Sequence, residues 1–136
     1  MLPKQKLREI MFQLLFGRSF HEGSYENQIG LIMKELKVSK KSVGLAIEKI
    51  AEVEPHLEKI DALIKETSLS YDFDRIQEVE KNVLRLAVFE MLYDASIPEK
   101  VAISEAIRLC KKFSTKESSK FVNALLDKIL KNSNKT

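Results

Sequence analysis

Apolar residues fall at helical spacing along nearly the whole chain. The densest stretch is 79–93, VEKNVLRLAVFEMLY. Between Val83 and Tyr93, nine of eleven residues are apolar, and only Arg85 and Glu90 interrupt the run. A helix of this pattern is apolar around almost its whole circumference and belongs inside a protein, with other helices about it. The run is too long for a buried strand, and Leu, Ala, Met, Arg and Glu favour helix. It is too short and too charged to cross a bilayer, which takes ~20 apolar residues. It is expected to be the central helix of a bundle, with Arg85 and Glu90 each pairing with a neighbouring element or reaching the surface.

The remaining elements follow in order. Leu7, Ile10, Met11, Leu14 and Leu15 mark a first helix over 3–16, which Gly17 helps to end. Lys4, Arg8, Phe12 and Phe16 form a separate row, four apart. A basic row backed by aromatics can grip phosphates and stack on bases; the plainer reading is an amphipathic helix whose rings join the core. Residues 18–25 read as loop. Ile29, Ile32, Met33 and Leu36 give a short second helix. Ser39 or Ser42 caps a third, with Val43, Ile47, Ile50 and Ala51 inward. Pro55 ends or kinks it. Leu57, Ile60, Leu63 and Ile64 give a fourth.

Asp74, with Gln77 three residues on, resembles a capping box opening the central helix. Ala95 to Pro98 breaks the chain, since the residue before a proline is biased to extended geometry. Ser104 is the expected cap of a sixth helix with Ala106, Leu109, Cys110 and Phe113 inward. Ser114 and Glu117 form a second capping-box pattern ahead of a seventh helix carrying Phe121, Val122, Leu125 and Ile129. Lys128 and Lys131 suit its C-terminal end, and 132–136 is a polar tail. The expectation is an all-α chain of about seven helices, with no repeats, low-complexity linker or strand.

Composition narrows the function classes. A chain of 136 residues suits one domain, here 1–136, with a core large enough to fold without staples. The single Cys excludes an internal disulfide and a cysteine-based metal site, and fits a reducing, cytoplasmic compartment. Lys4, Lys6, Arg8 and Glu9 break any signal-peptide apolar core. Cys110 on an apolar face reads as a small buried hydrophobe. His21 and His56 lack partners at metal-ligand spacing and read as structural or surface residues. There is no Gly-rich phosphate loop, HExxH or GxSxG, and no nucleophile placed beside a base, so no enzyme, cofactor or metal is expected.

The formal net charge of +3 is unevenly distributed: +3 over 1–18, −6 over 19–99 and +6 over 100–136. If the ends meet in space they form one positive face suited to a polyanion, while the acidic middle suits a basic partner. A scatter of solvated lysines fits the same charge count.

Three C-terminal stretches, VEKNVLRLAVFEML, IPEKVAISEAIRLCKKFS and SKFVNALLDKI, resemble the NusB family of bacterial transcription antitermination factors. The likeness is near-continuous from Val79 to Ile129. It is weaker in KQKLREIMFQLLF, which resembles the family's basic first helix, and 19–70 is only generically helical. The resemblance implies an all-α fold of two perpendicular three-helix sub-bundles, without catalytic activity. It implies binding of boxA RNA together with NusE, a basic ribosomal protein, so that RNA polymerase, with other Nus factors, ignores terminators in ribosomal RNA operons. Carried over by position, the RNA-binding residues are Lys4, Lys6, Arg8 and Phe16 near the N-terminus. A second set is Phe113, Lys116, Glu117, Lys120 and Phe121, with Glu117 an acid that faces the RNA and tempers affinity. Glu80 matches an acid that meets basic side chains of NusE.

The sequence also departs from the family pattern. Gln5 sits between two lysines where arginines are common, and lysine lacks the bidentate phosphate fork. Ser104 replaces a usual Asn, Ala124 a usual Gly, and Tyr71 falls near a usual Trp. The thinned basic arm leads to the expectation that tight RNA binding needs NusE. The alternative function is a protein–protein adaptor whose basic face is closed by self-association, with monomer and homodimer both open. Such domains are also found fused to ribosomal RNA methyltransferases, but these residues show no nucleotide-type sheet, so no methyl transfer is expected of them.

Overall fold

The computed structural model describes residues 2–20, 25–68 and 72–133. His21, Tyr71 and the end of the polar tail lie outside them. The described residues form seven α-helices and two short 3-10 turns, with no strand among them. The helices are α1 (Lys4–Arg18), α2 (Glu26–Leu36), α3 (Lys40–Val53), α4 (Leu57–Thr67), α5 (Glu78–Tyr93), α6 (Glu99–Phe113) and α7 (Lys116–Ser133). They fall into two compact units, Met1–Pro55 and His56–Thr136.

In the first unit α1, α2 and α3 pack on one another. The stripe read from the sequence buries Ile10, Met11, Leu14 and Leu15, and Phe12 joins them at 1% exposure. Gly17 does not end α1, which runs on to Arg18. Its role is room: a Cβ there would collide with the Gln28 side-chain amide of α2. Ser39 caps α3, its hydroxyl accepting the Ser42 N–H at 3.1 Å. Ala46 and Val53 are buried in α3, whereas Ala51 turns out to solvent. Three-residue spacing alone does not separate those registers. The Tyr25 hydroxyl donates to Glu54 Oε1 at 3.1 Å, tying the start of α2 to the end of α3.

In the second unit α5 packs against α4, α6 and α7. Val83, Leu84, Leu86, Ala87, Val88, Phe89 and Met91 are all buried, each large side chain contributing about 1.5–3 kcal/mol. The last turn surfaces: Leu92 and Tyr93 are exposed, and Tyr93 stacks on His56 with ring centroids 3.9 Å apart. Arg85 reaches α4 and pairs with Asp61. Lys128 of α7 donates its ammonium to the Thr67 carbonyl at 3.3 Å, placing a cation on the negative C-terminal end of α4.

Three caps differ from expectation. The capping box of α5 is Gln77 with Glu80, while Asp72 accepts from the Asp74 N–H in the 3-10 turn Phe73–Arg75. That turn occupies the positions where the helix was expected to begin. α6 begins after Pro98, whose carbonyl accepts from Val101 and Ala102, so Ser104 is mid-helix. Proline has no side-chain acceptor, so its fixed φ and extended ψ, not a side-chain cap, start the helix. At α7 the cap is Thr115, whose Oγ1 accepts the Ser118 N–H at 3.1 Å, and Ser114 bonds the Ser118 hydroxyl instead.

Candidate nucleic-acid interface

The α6–α7 corner carries most of the expected site. Four hydroxyls fix its shape. Ser114 and Ser118 share a hydrogen bond at 2.9 Å, Thr115 caps α7, and the Ser119 hydroxyl donates to the Lys116 carbonyl at 2.6 Å. With Ser118 and Ser119 buried, the helical turn pushes Lys116, Glu117 and Lys120 out into solvent. Phe113 and Phe121 are half-buried on either side of the corner. The Lys112 ammonium lies 5.7 Å from the Phe113 ring centre.

A cleft of about 290 Å³ opens beside this corner, lined by Arg75, Gln77, Glu80, Glu117, Ser118 and Phe121 among others. Glu80 and Glu117 were expected to serve different partners; they line the same cleft. Glu80 has a structural task as well, since Oε1 accepts the Gln77 N–H at 3.4 Å. The cleft therefore offers two carboxylates, one guanidinium and one aromatic ring. Carboxylates accept from base amino groups, guanidinium binds phosphate, and the ring stacks. Arg75 was not foreseen. It sits in a connector without periodicity, and only its place just ahead of a helix cap could have singled it out.

In the first unit the basic row is divided by burial. Lys4 is exposed, and Lys6 is half-buried with its ammonium 3.4 Å from Glu9 Oε1. Arg8 is 6% exposed and already engaged within the fold. Phe16 is half-buried between Phe12 at 5.8 Å and Phe20 at 5.0 Å. Phe20, 61% exposed, extends the ring ladder into solvent. The sequence reading missed it because it lies past the last periodic position, although the four-residue spacing of 12, 16 and 20 continues unbroken.

Cys110 is fully buried, and burial, followed by the nearby Glu80 charge, pushes its thiol up to about 12. It is inert as a nucleophile at neutral pH. Among the described residues no cluster of three or more His, Cys, Asp or Glu could hold a metal ion. None of the described helices is long and apolar enough to cross a membrane.

A model of the NusB family matches residues 5–131. The chain is 36% identical over 131 residues to the transcription antitermination protein NusB of Chlamydia pneumoniae, spanning 96% of this chain and 82% of that one. It is 34% identical over 133 residues to the protein of the same name from Clostridium perfringens, spanning 96% and 98%. The fold matches T. maritima NusB at a TM-score of 0.78 with 34% identity, covering 96% and 92% of the two chains. It also matches a chain from a crystal structure of antitermination factors NusB and NusE in complex with dsRNA, at a TM-score of 0.79 with 25% identity, covering 95% and 96%.

Proposed function

The chain belongs to the NusB family, and from that premise we propose that it is a transcription antitermination factor that binds boxA-type RNA together with NusE. RNA polymerase and other Nus factors are engaged indirectly, at ribosomal RNA operons in the cytoplasm. The observation that carries this reading is the α6–α7 corner, where solvent-facing Lys116 and Lys120 stand beside half-buried Phe113 and Phe121. Cations near aromatic rings suit a single strand, whose phosphates and unstacked bases are both reachable.

In this reading Lys4, Lys6 and Phe16 contribute from the first unit, and Lys116, Lys120, Phe113 and Phe121 from the second. Glu117 weakens the phosphate field around it. Arg8 supports the first helix from within the fold and adds positive potential rather than a direct contact. Glu80 meets basic side chains of NusE with the carboxylate oxygen that its cap leaves over. The protein works by binding alone, with no catalytic step. The family model runs through both compact units, which supports treating 1–136 as one functional domain.

The test is a titration of the NusE complex with boxA RNA at several salt concentrations. About three to four phosphate contacts give a log–log slope of about −2 to −3. Scrambled single strands should bind more weakly, and a duplex arm separates strand from shape recognition. Equal affinity for scrambled RNA, or a slope near zero, overturns the reading. A tight dimer in sedimentation that excludes RNA would favour the self-associating adaptor instead.

A further inference from the structure

The first unit contains a groove of about 720 Å³ between the start of α1 and the link from α2 into α3. Its apolar lining includes Leu7, Val38 and Leu45, and its cations are Lys6, Lys37 and Lys41. Among the described residues no carboxylate and no aromatic ring lines it. Leu45 is 45% exposed, which leaves a large aliphatic side chain open to water.

Lys37 is the unusual member. It has φ 54 and ψ 51, and among the described residues it is the one non-glycine residue at positive φ. Glycine takes this position after a helix without strain, and lysine does not. A side chain kept where the backbone disfavours it points to a use for that side chain. Lys37 and Lys41 are both exposed, and among the described residues neither has a carboxylate partner. Lys6 is partly neutralised by Glu9. The groove also meets the N-terminal end of α3, whose dipole adds to the positive field.

We propose that this groove docks a short acidic, leucine-bearing helix from a partner protein. Two features select that occupant. Lys37 and Lys41 without a carboxylate partner, with Lys6 only partly neutralised by Glu9, favour a negative ligand, and the aliphatic lining favours apolar side chains on one face of it. RNA fits poorly, because bases stack on rings and the groove has none. Of its cations only Lys6 is also given to RNA; Lys37, Lys41 and Leu45 are not.

The test uses the full chain and a fluorescein-labelled peptide with Glu and Leu at helical spacing, followed by anisotropy. The peptide should bind saturably and more weakly as salt rises, and a peptide with Lys for Glu should not bind. K41E should weaken binding about five- to tenfold by reversing a rim charge. L45S should weaken it at least about threefold through lost apolar contact. K37G should weaken binding while raising Tm, a combination that a merely structural role for Lys37 does not give. Three results overturn the proposal. One is a Glu/Leu peptide that fails to bind or ignores all three variants. Another is oligouridine binding that K41E abolishes. The third is a dimer in sedimentation that L45S dissolves, which assigns the groove to a second copy. RNA binding by K41E and L45S, measured in parallel, keeps this outcome separate from the antitermination reading.

Discussion

Arg85 holds Asp61 through two parallel bonds, Nε to Oδ1 at 2.8 Å and Nη2 to Oδ2 at 3.0 Å. The third arm of the guanidinium, Nη1, donates to Asn82 Oδ1 at 3.0 Å, and Phe73 lies against the same group at 5.9 Å. This joins α4 to the most buried helix of its unit. Both side chains are shielded, at 17% and 25% exposure, so the pair is worth more than a surface ion pair. Asp61→Ala is expected to cost about 2 kcal/mol, since it leaves a shielded guanidinium without its carboxylate. Arg85→Lys keeps the charge and loses the fork. Urea denaturation of the two variants checks this, and a loss under about 0.5 kcal/mol for Asp61→Ala would reduce the pair to surface decoration.

Alkaline stability should depend on Tyr25. Burial, then its hydrogen bond to Glu54 and that carboxylate's charge, raise the phenol from 10.0 to about 12. The folded protein thus holds the proton more tightly than the unfolded chain. The stabilisation is complete below pH 10, declines between pH 10 and 12, and is gone above that. Subtracting the stability of Tyr25→Phe from that of the natural protein, pH by pH, cancels the other tyrosines. The difference should be flat up to pH 10 and fall beyond it; a flat difference throughout would mean that the phenol titrates normally.

Lys37→Gly should stabilise the protein. Relief of the positive φ outweighs the added freedom of the unfolded chain, for a net gain of about 0.5–1 kcal/mol. That corresponds to a Tm rise of about 2–4 °C in a domain of this size. Lys37→Ala, which keeps a Cβ, should give no such gain. Calorimetry of the two variants side by side separates backbone strain from loss of charge.

RNA affinity should respond oppositely to two exposed neighbours on α7. Glu117→Lys is expected to tighten boxA binding about three- to tenfold at low salt and steepen the salt slope by about 0.7. Lys120→Ala should loosen binding uniformly across sequences and make the slope shallower by about the same amount. The readout is a filter-binding or anisotropy titration of the NusE complex. No change for either variant would remove the α6–α7 corner from the interface.

The amino-acid sequence by itself determined the helices and most of their inward faces. Helical periodicity is a local property, and the runs around Ile10, Ile60, Val83 and Val122 each repeat it often enough to set the register. It also determined the family, since motifs such as IPEKVAISEAIRLCKKFS carry residue identity as well as pattern. Helix starts were less legible, because Ser, Asp and Thr cap equally well and neighbouring positions compete. The choice of Gln77 over Asp74 and of Thr115 over Ser114 was settled by the backbone path leading into each helix.

Only the tertiary structure decided which members of a charged row reach solvent. Lys4 and Arg8 share a helix face in projection, yet Arg8 is buried and Lys4 is not. Solvent exposure depends on what packs over each turn, and spacing along one helix does not encode that. The tertiary structure likewise joined Glu80, Glu117 and Arg75 around one cleft, and Lys37, Lys41 and Leu45 around one groove. Glu80 and Glu117 are far apart in the chain, and Lys37, Lys41 and Leu45, local to one another, become a groove only where Lys6 and Leu7 of α1 pack beside them.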